Sequence, residues 1–189
     1  GDGTTADKTT ATQESTGTTN WSDIATGGYH TVALKSDGTP WAWGHGGYGE
    51  LGDGTFDNKT TPAQESTGAT DWAAIAAGGF HTVALKSDGT LWAWGNNESG
   101  QLGDGTTTDK NTLIQESTEA TNWSAISAGD YHTVALKSDG TLWAWGHNQY
   151  GQLGDGTFIK KNTPIQESTG ATVVNQQMWD GSGPERIVV

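Results

Sequence analysis

Three histidines, His30, His81 and His132, are the side chains in this sequence best equipped to hold a metal or pass a proton, and they recur every 51 residues. Ligands of one ion must converge to within a few ångströms. A period this long sets each histidine in its own structural unit, so framework hydrogen bonding is the better reading. The segment GDGT begins at Gly1, Gly52, Gly103 and Gly154 and carries Asp2, Asp53, Asp104 and Asp155 in oxygen-rich loops. Asp53, Asp104 and Asp155 are weak calcium candidates on that ground, but the EF-hand ligand order and its terminal glutamate are missing. An Asx-type turn, each carboxylate accepting from the amide two residues on, accounts for the same residues without a metal.

Glu14, Glu65, Glu116 and Glu167 also recur once per unit, on a segment expected to face solvent. A glycosidase needs one asymmetric carboxylate pair roughly 5 to 9.5 Å apart, which equivalent copies do not supply. The stretch GHGGYG from Gly44 to Gly49 has the glycines of a dinucleotide fingerprint, yet it follows a Trp-rich strand and precedes no helix. With no cysteine there is no thiolate chemistry and no disulfide. These residues predict no catalytic centre and no cofactor.

The period itself says what must position them. Complete units cover 1–51, 52–102 and 103–153, and a fourth runs over 154–172 before the pattern is lost, about 3.7 units in all. Each unit reads as four short strands: an outer strand such as Thr163–Ser168, with Thr61–Ser66 and Thr112–Ser117 before it; Trp72–Gly79, whose small residues allow close approach near an axis; His81–Ser87; and Thr90–Gly95. Asp37-Gly38, Asp88-Gly89 and Asp139-Gly140 join the last two as tight hairpins. Strand alternation sets His81, Val83 and Leu85 on one face and Thr82 and Ala84 on the other, with Trp92 and Trp94 opposite Ala93. The expected blade core is Trp21, Trp41, Trp43, Trp72, Trp92, Trp94, Trp123, Trp143 and Trp145, a Val, Leu and Trp face pressing on the Ala and Thr face of the next blade. Bulk composition alone, 32% hydrophobic with 29 glycines, would suit disorder, but ten tryptophans at regular intervals do not.

Lys and Arg number 9 against 22 Asp and Glu, a formal charge of −13 that disfavours phosphate backbones and anionic membranes. Lys35, Lys86 and Lys137 repeat at a turn flank rather than gathering in a groove. Neither a nucleic-acid partner nor membrane insertion is expected, since no apolar run approaches the roughly 20 residues a spanning helix needs.

The stretches IAAGGFHTVALKSDGTLWAWGNNESGQLGDG, from Ile75 to Gly105, and ISAGDYHTVALKSDGTLWAWGHNQYGQLGDG, from Ile126 to Gly156, closely resemble the RCC1 repeat. The first unit departs from the others with Pro40 for Leu91, Gly46 for Asn97 and Glu50 for Gln101. The resemblance implies an all-β, RCC1-like β-propeller segment of four-stranded blades. It also implies a rigid disk that binds protein at its loops, since family members range from exchange factors for small GTPases to a plant photoreceptor and a secreted bacterial inhibitor. The near-identical acidic repeats are similar to the bacterial secreted type, which implies an extracellular or cell-surface location.

Function is therefore expected in loop residues that vary while the framework does not: Tyr48, Phe56, Glu98, Thr107, Tyr150 and Phe158. The primary expectation is a noncatalytic, exported protein-interaction scaffold; the alternatives are a subunit of an extracellular filament and a carbohydrate-binding module. An arc of blades leaves an apolar face at each end, to be covered by a protein partner, further copies or more of the same polypeptide. The chain opens at Gly1 inside the pattern, and the tail 173–189 reads as a cap or a docking strand ending in Ile187, Val188 and Val189.

Overall fold

The computed structural model describes residues 1–168, which form three four-stranded antiparallel sheets. The first contains β1 (Trp21–Thr26), β2 (His30–Lys35), β3 (Pro40–Gly44) and β4 (Lys59–Gln64) in that order. The second repeats it with β5 (Trp72–Ala77), β6 (His81–Lys86), β7 (Leu91–Gly95) and β8 (Lys110–Gln115). The third contains β9 (Trp123–Ala128), β10 (His132–Lys137), β11 (Leu142–Gly146) and β12 (Lys161–Gln166). The tail 173–189 lies outside the described residues.

Each hairpin forms where the Asp-Gly pair demands it. Gly89 adopts φ 82°, and a Cβ there would stand 2.2 Å from the Thr121 carbonyl oxygen. Asp88 Oδ1 accepts from the Thr90 amide at 2.9 Å and closes the turn.

The sheets run out of phase with the sequence unit. Three strands come from one unit, and the fourth, edge strand is supplied by the unit that follows, beyond its GDGT loop. Residues 8–13 hold the place of such an edge strand in the first unit and form no strand.

Sheet pairing also corrects the expected faces. Val83 pairs with Ala93 and Leu85 with Leu91, whereas Thr82 pairs with Trp94 and Ala84 with Trp92. Directly paired residues share a face, so the tryptophans stand with Thr82, Ala84 and Ile75, not with the valine and leucine. The Val and Leu face of one blade then meets the Trp face of the next. Val32, Leu34 and Ala42 pack on Trp72, Ile75, Ala84 and Trp94, and Val83, Leu85, Leu91 and Ala93 pack on Trp123, Ala135 and Trp145. Leu51 and Leu102 fill the same junctions from the loops.

Trp72, Trp94, Trp123 and Trp145 are buried, while Trp92 and Trp143 are half-buried beside their junctions. Trp21, Trp41 and Trp43 are half-buried on the open face of the first blade. The ends differ sharply from the middle: Ile24 is 69% exposed where Ile75 is 8%, and Leu136 is 39% exposed where Leu85 is 5%.

Burial at a junction sets the cost of truncating equivalent leucines. Leu85→Ala is expected to cost about 2 to 5 kcal/mol and Leu136→Ala under about 1 kcal/mol, read as shifts in urea midpoint. Equal costs would mean that the third blade's face is covered in solution.

Candidate functional site

Each junction between blades closes on a single backbone carbonyl. At the first, the Glu50 carbonyl accepts from Trp94 Nε1 at 2.9 Å and from Thr82 Oγ1 at 2.8 Å. Because the Thr82 hydroxyl spends its proton there, it accepts from His30 Nε2 at 3.0 Å. The second junction repeats this with the Gln101 carbonyl, Trp145, Thr133 and His81. His30 and His81 thus join neighbouring blades rather than converging on an ion, and among the described residues no group of three or more His, Asp or Glu side chains could hold one.

Such an arrangement fixes each bridging imidazole as the neutral Nε2-H tautomer, with Nδ1 of His30 and His81 buried and unpartnered. The ring lies against glycine. A Cβ on Gly78 would stand 2.2 Å from His81 Cε1 and 2.5 Å from the Gly129 carbonyl oxygen, so small residues are needed here for packing. Burial, with a contribution from His45, pulls His30 down to about 4. Burial, with His30 and His132, pulls His81 down to about 3.

The calcium candidates occupy Asx turns. Asp53, Asp104 and Asp155 each accept from the amide and hydroxyl two residues on, Thr55, Thr106 and Thr157. Each also faces an ammonium, Lys59 at 3.2 Å, Lys110 at 3.5 Å and Lys161 at 3.0 Å. Against the upward push of burial, Lys161, Thr157 and Asn148 hold Asp155 down at about 2.

The recurrent glutamates correct another expectation. Glu65 and Glu116 are buried, not solvent-facing. Glu116 accepts from the Thr118 and Ala120 amides and from Trp123 Nε1, so it ends the edge strand and anchors the next blade's indole. Lys35, Lys86 and Lys137 likewise do more than flank a turn. Lys35 Nζ lies 3.9 Å from the Trp41 ring centroid, and Lys86 and Lys137 cover Trp72 and Trp143 at 4.9 and 4.1 Å.

All six variable residues fall in the connections between the third and fourth strands of the blades: Tyr48 and Phe56 in the first, Glu98 and Thr107 in the second, Tyr150 and Phe158 in the third. In a meander those connections share an end with the turns between the first and second strands, which carry Tyr29, Phe80 and Tyr131. Tyr29, Phe56, Tyr131, Tyr150, Phe158 and Ile159 are all exposed at this end. Tyr29, His45 and Phe80 were not singled out in the sequence; aromatic recurrence before each framework histidine disguised the first and third as framework.

Loop tethering differs between blades. Asn97 Nδ2 donates to Asp104 Oδ1 at 2.9 Å while its Oδ1 accepts from the Leu102 amide, and Asn148 does the same for its own loop. Gly46 stands in that place in the first blade, where the Asn58 side chain accepts from its amide instead.

Models of the regulator of chromosome condensation (RCC1) repeat match residues 37–85, 88–136 and 139–175, and a second such model matches 21–50, 72–101 and 123–152. The chain belongs to the RCC1-repeat family. Among curated RCC1 relatives, the Arabidopsis thaliana ultraviolet-B receptor UVR8 is 39% identical over 147 residues, covering 76% of this chain and 33% of that protein. The mitochondrial RCC1 domain-containing protein RUG3 of the same plant is 33% identical over 153 residues, 77% of this chain and 34% of that one. This RCC1 chain therefore spans about a third of the length of those relatives. The crystal structure of Prp20p from Saccharomyces cerevisiae superposes with a TM-score of 0.74 at 22% identity, over 82% of this chain and 40% of that one. The expected extracellular or cell-surface location is overturned by this comparison, in which the matched relative RUG3 is a mitochondrial protein. Acidic composition, which suggested export, follows surface charge and carries no address.

The bridging histidines give the RCC1 blades an acid limit. Their folded values lie below the ordinary 6.5, so the unfolded chain binds protons that the folded chain refuses. Stability is expected to be full above about pH 6.5 and to fall as pH drops toward 4. The double variant H30N/H81N should be less stable at neutral pH yet show a flatter slope in urea titrations across that window; an unchanged slope would remove the histidines as the cause.

Proposed function

We propose that this chain is a noncatalytic protein-interaction scaffold whose contact surface is the blade end that carries Tyr48, Phe56, Glu98, Thr107, Tyr150 and Phe158. The observation that carries the reading is the row of exposed rings at one end of three adjacent blades, Tyr29, Phe56, Tyr131, Tyr150 and Phe158. Rigid sheets below and large apolar side chains above are what a protein-binding surface requires, since preordered anchors lose little freedom on docking. The likeness to Prp20p lends support: that protein is described as binding Gsp1p and histones, and yeast RCC1 (Prp20) has been crystallised bound to Kap60.

The two open blade faces form a second contact surface in this proposal. Ile24 and the half-buried Trp21, Trp41 and Trp43 line one, and Val134, Leu136 and Leu142 line the other. A partner or a further copy that offers the complementary blade face would cover them in the way the internal junctions are covered. Residues 1–172 are the repeat array in this reading, with 173–189 as its cap or docking strand.

Capture from an extract of the source organism tests the contact surface. A partner retained by the wild type should be lost, by roughly tenfold or more, from the variant F56S/Y150S/F158S. It should be kept by a variant altered at the opposite ends of the blades, such as D71N. Equal retention by all three proteins, or retention by glycan beads alone, would overturn the reading.

A further inference from the structure

We propose that the junction between the first and second blades carries a recognition site for a guanidinium group, presented by an arginine-bearing segment of a partner protein. This deepens the scaffold reading and rests on it. Tyr29 and Phe80, from successive blades, stack with centroids 5.0 Å apart and planes 15° apart. Tyr48 closes on Phe80 at 5.1 Å, and His45 lies 5.7 Å from Phe80 and 5.8 Å from Tyr48. Four rings from three connections therefore make one surface.

Beneath it lies a carboxylate. Glu50 is fully buried, accepting from His45 Nδ1 through Oε1 and from the Tyr48 amide through Oε2 at 2.9 Å. Exposed acids lie in the segments that adjoin the rings. Asp57, whose side chain is 78% exposed, has its carbonyl against Gly46, next to His45. The Asp130 carbonyl accepts from the amide of Gly79, next to Phe80, and Asp130 is exposed. Lys59 and Lys110 pair with Asp53 and Asp104, Lys59 also standing 3.9 Å from Asp57, and Lys35 and Lys86 cover tryptophan rings.

Negative potential around ring faces selects a cation, and the ring geometry selects its shape. Tyr29 and Phe80 lie on one another and leave no slot between them, so a compact ammonium cannot be enclosed as it is in an aromatic cage. A planar guanidinium can instead lie over the exposed stack while its N–H groups reach carboxylates in the adjoining segments.

Glu50 is the residue that sets this surface apart. Positions 45 and 48 carry His and Tyr here and again as His147 and Tyr150 in the third unit, where Gln152 replaces the glutamate, whereas the second unit carries Asn96, Ser99 and Gln101. Since the second blade already folds with those three residues, the swap H45N/Y48S/E50Q removes two of the four rings and the carboxylate beneath them, leaving only the Tyr29–Phe80 stack, on a framework that tolerates it.

The test is fluorescence anisotropy of labelled Gly-Arg, Gly-Lys and Gly-Glu repeat peptides against the full chain near physiological salt. Gly-Arg should bind several-fold more tightly than Gly-Lys, and Gly-Glu should not bind. The triple swap should weaken Gly-Arg by about tenfold or more without moving the urea midpoint appreciably, and E50Q alone should weaken it less. D71N, at the other end, should leave it unchanged. Equal binding of Gly-Arg and Gly-Lys, equal weakening by D71N, or undiminished binding by the triple swap would overturn the proposal. If the triple swap binds normally while F56S/Y150S/F158S still loses its captured partner, the guanidinium site falls and the scaffold stands.

Discussion

One carbonyl oxygen per junction governs how the blades assemble. A buried indole N–H and a buried threonine hydroxyl both need an acceptor. Trp94 and Thr82 find theirs on Glu50, Trp145 and Thr133 on Gln101, in each case a residue contributed through the preceding blade's loop. Pulling two blades apart would therefore expose apolar faces and strand two donors and a histidine at once. Blade-to-blade contact is a requirement of the fold.

The histidine that completes each junction brings a second constraint. Its ring must lie flat against backbone to reach the next blade's threonine, and glycine at 27, 78 and 129 is the only residue that leaves room. Where two blades meet, the following position is also glycine: the Gly28 amide donates to the Gly78 carbonyl across the first junction. Asp130 takes that position on the third blade, where no further blade approaches among the described residues. A side chain appears at the place where crowding ends.

Much of this was legible in the sequence because repetition made every assignment several times. Asp-Gly hairpins, the inner WAAIAA strand and the GDGT Asx turns follow from local chemistry, and they fall where expected. What escaped was relational. Alternation along one strand cannot say which face its neighbour presents, so the tryptophans were set with Val83 and Leu85 when pairing sets them with Thr82 and Ala84. Period alone cannot fix phase either, since any starting point gives the same 51 residues; the sheets begin at Trp21, not at Gly1. Glu65 and Glu116 looked like surface acids because nothing in a single segment announces an indole arriving from the next blade. The ring cluster was half visible through Tyr48, but its other members stand far apart in the chain and meet only when two blades dock.

A repeat array faces a particular difficulty in acquiring a site, because a change in one unit that suits a ligand must still satisfy the junction every unit has to make. Position 50 avoids that conflict. Its structural duty is carried by the main-chain carbonyl, which is the same for Glu50 and Gln101, while its side chain points into the loop and needs only a partner there. Asn96 supplies that partner for Gln101, His45 for Glu50 and His147 for Gln152. Side-chain identity at 45, 48 and 50 is thereby uncoupled from assembly, whereas the same freedom is denied to His30, Thr82 and Trp94, whose side chains are themselves the joint. A unique site in this protein can arise only where structure is held by backbone, and the blade end at the first junction satisfies that condition.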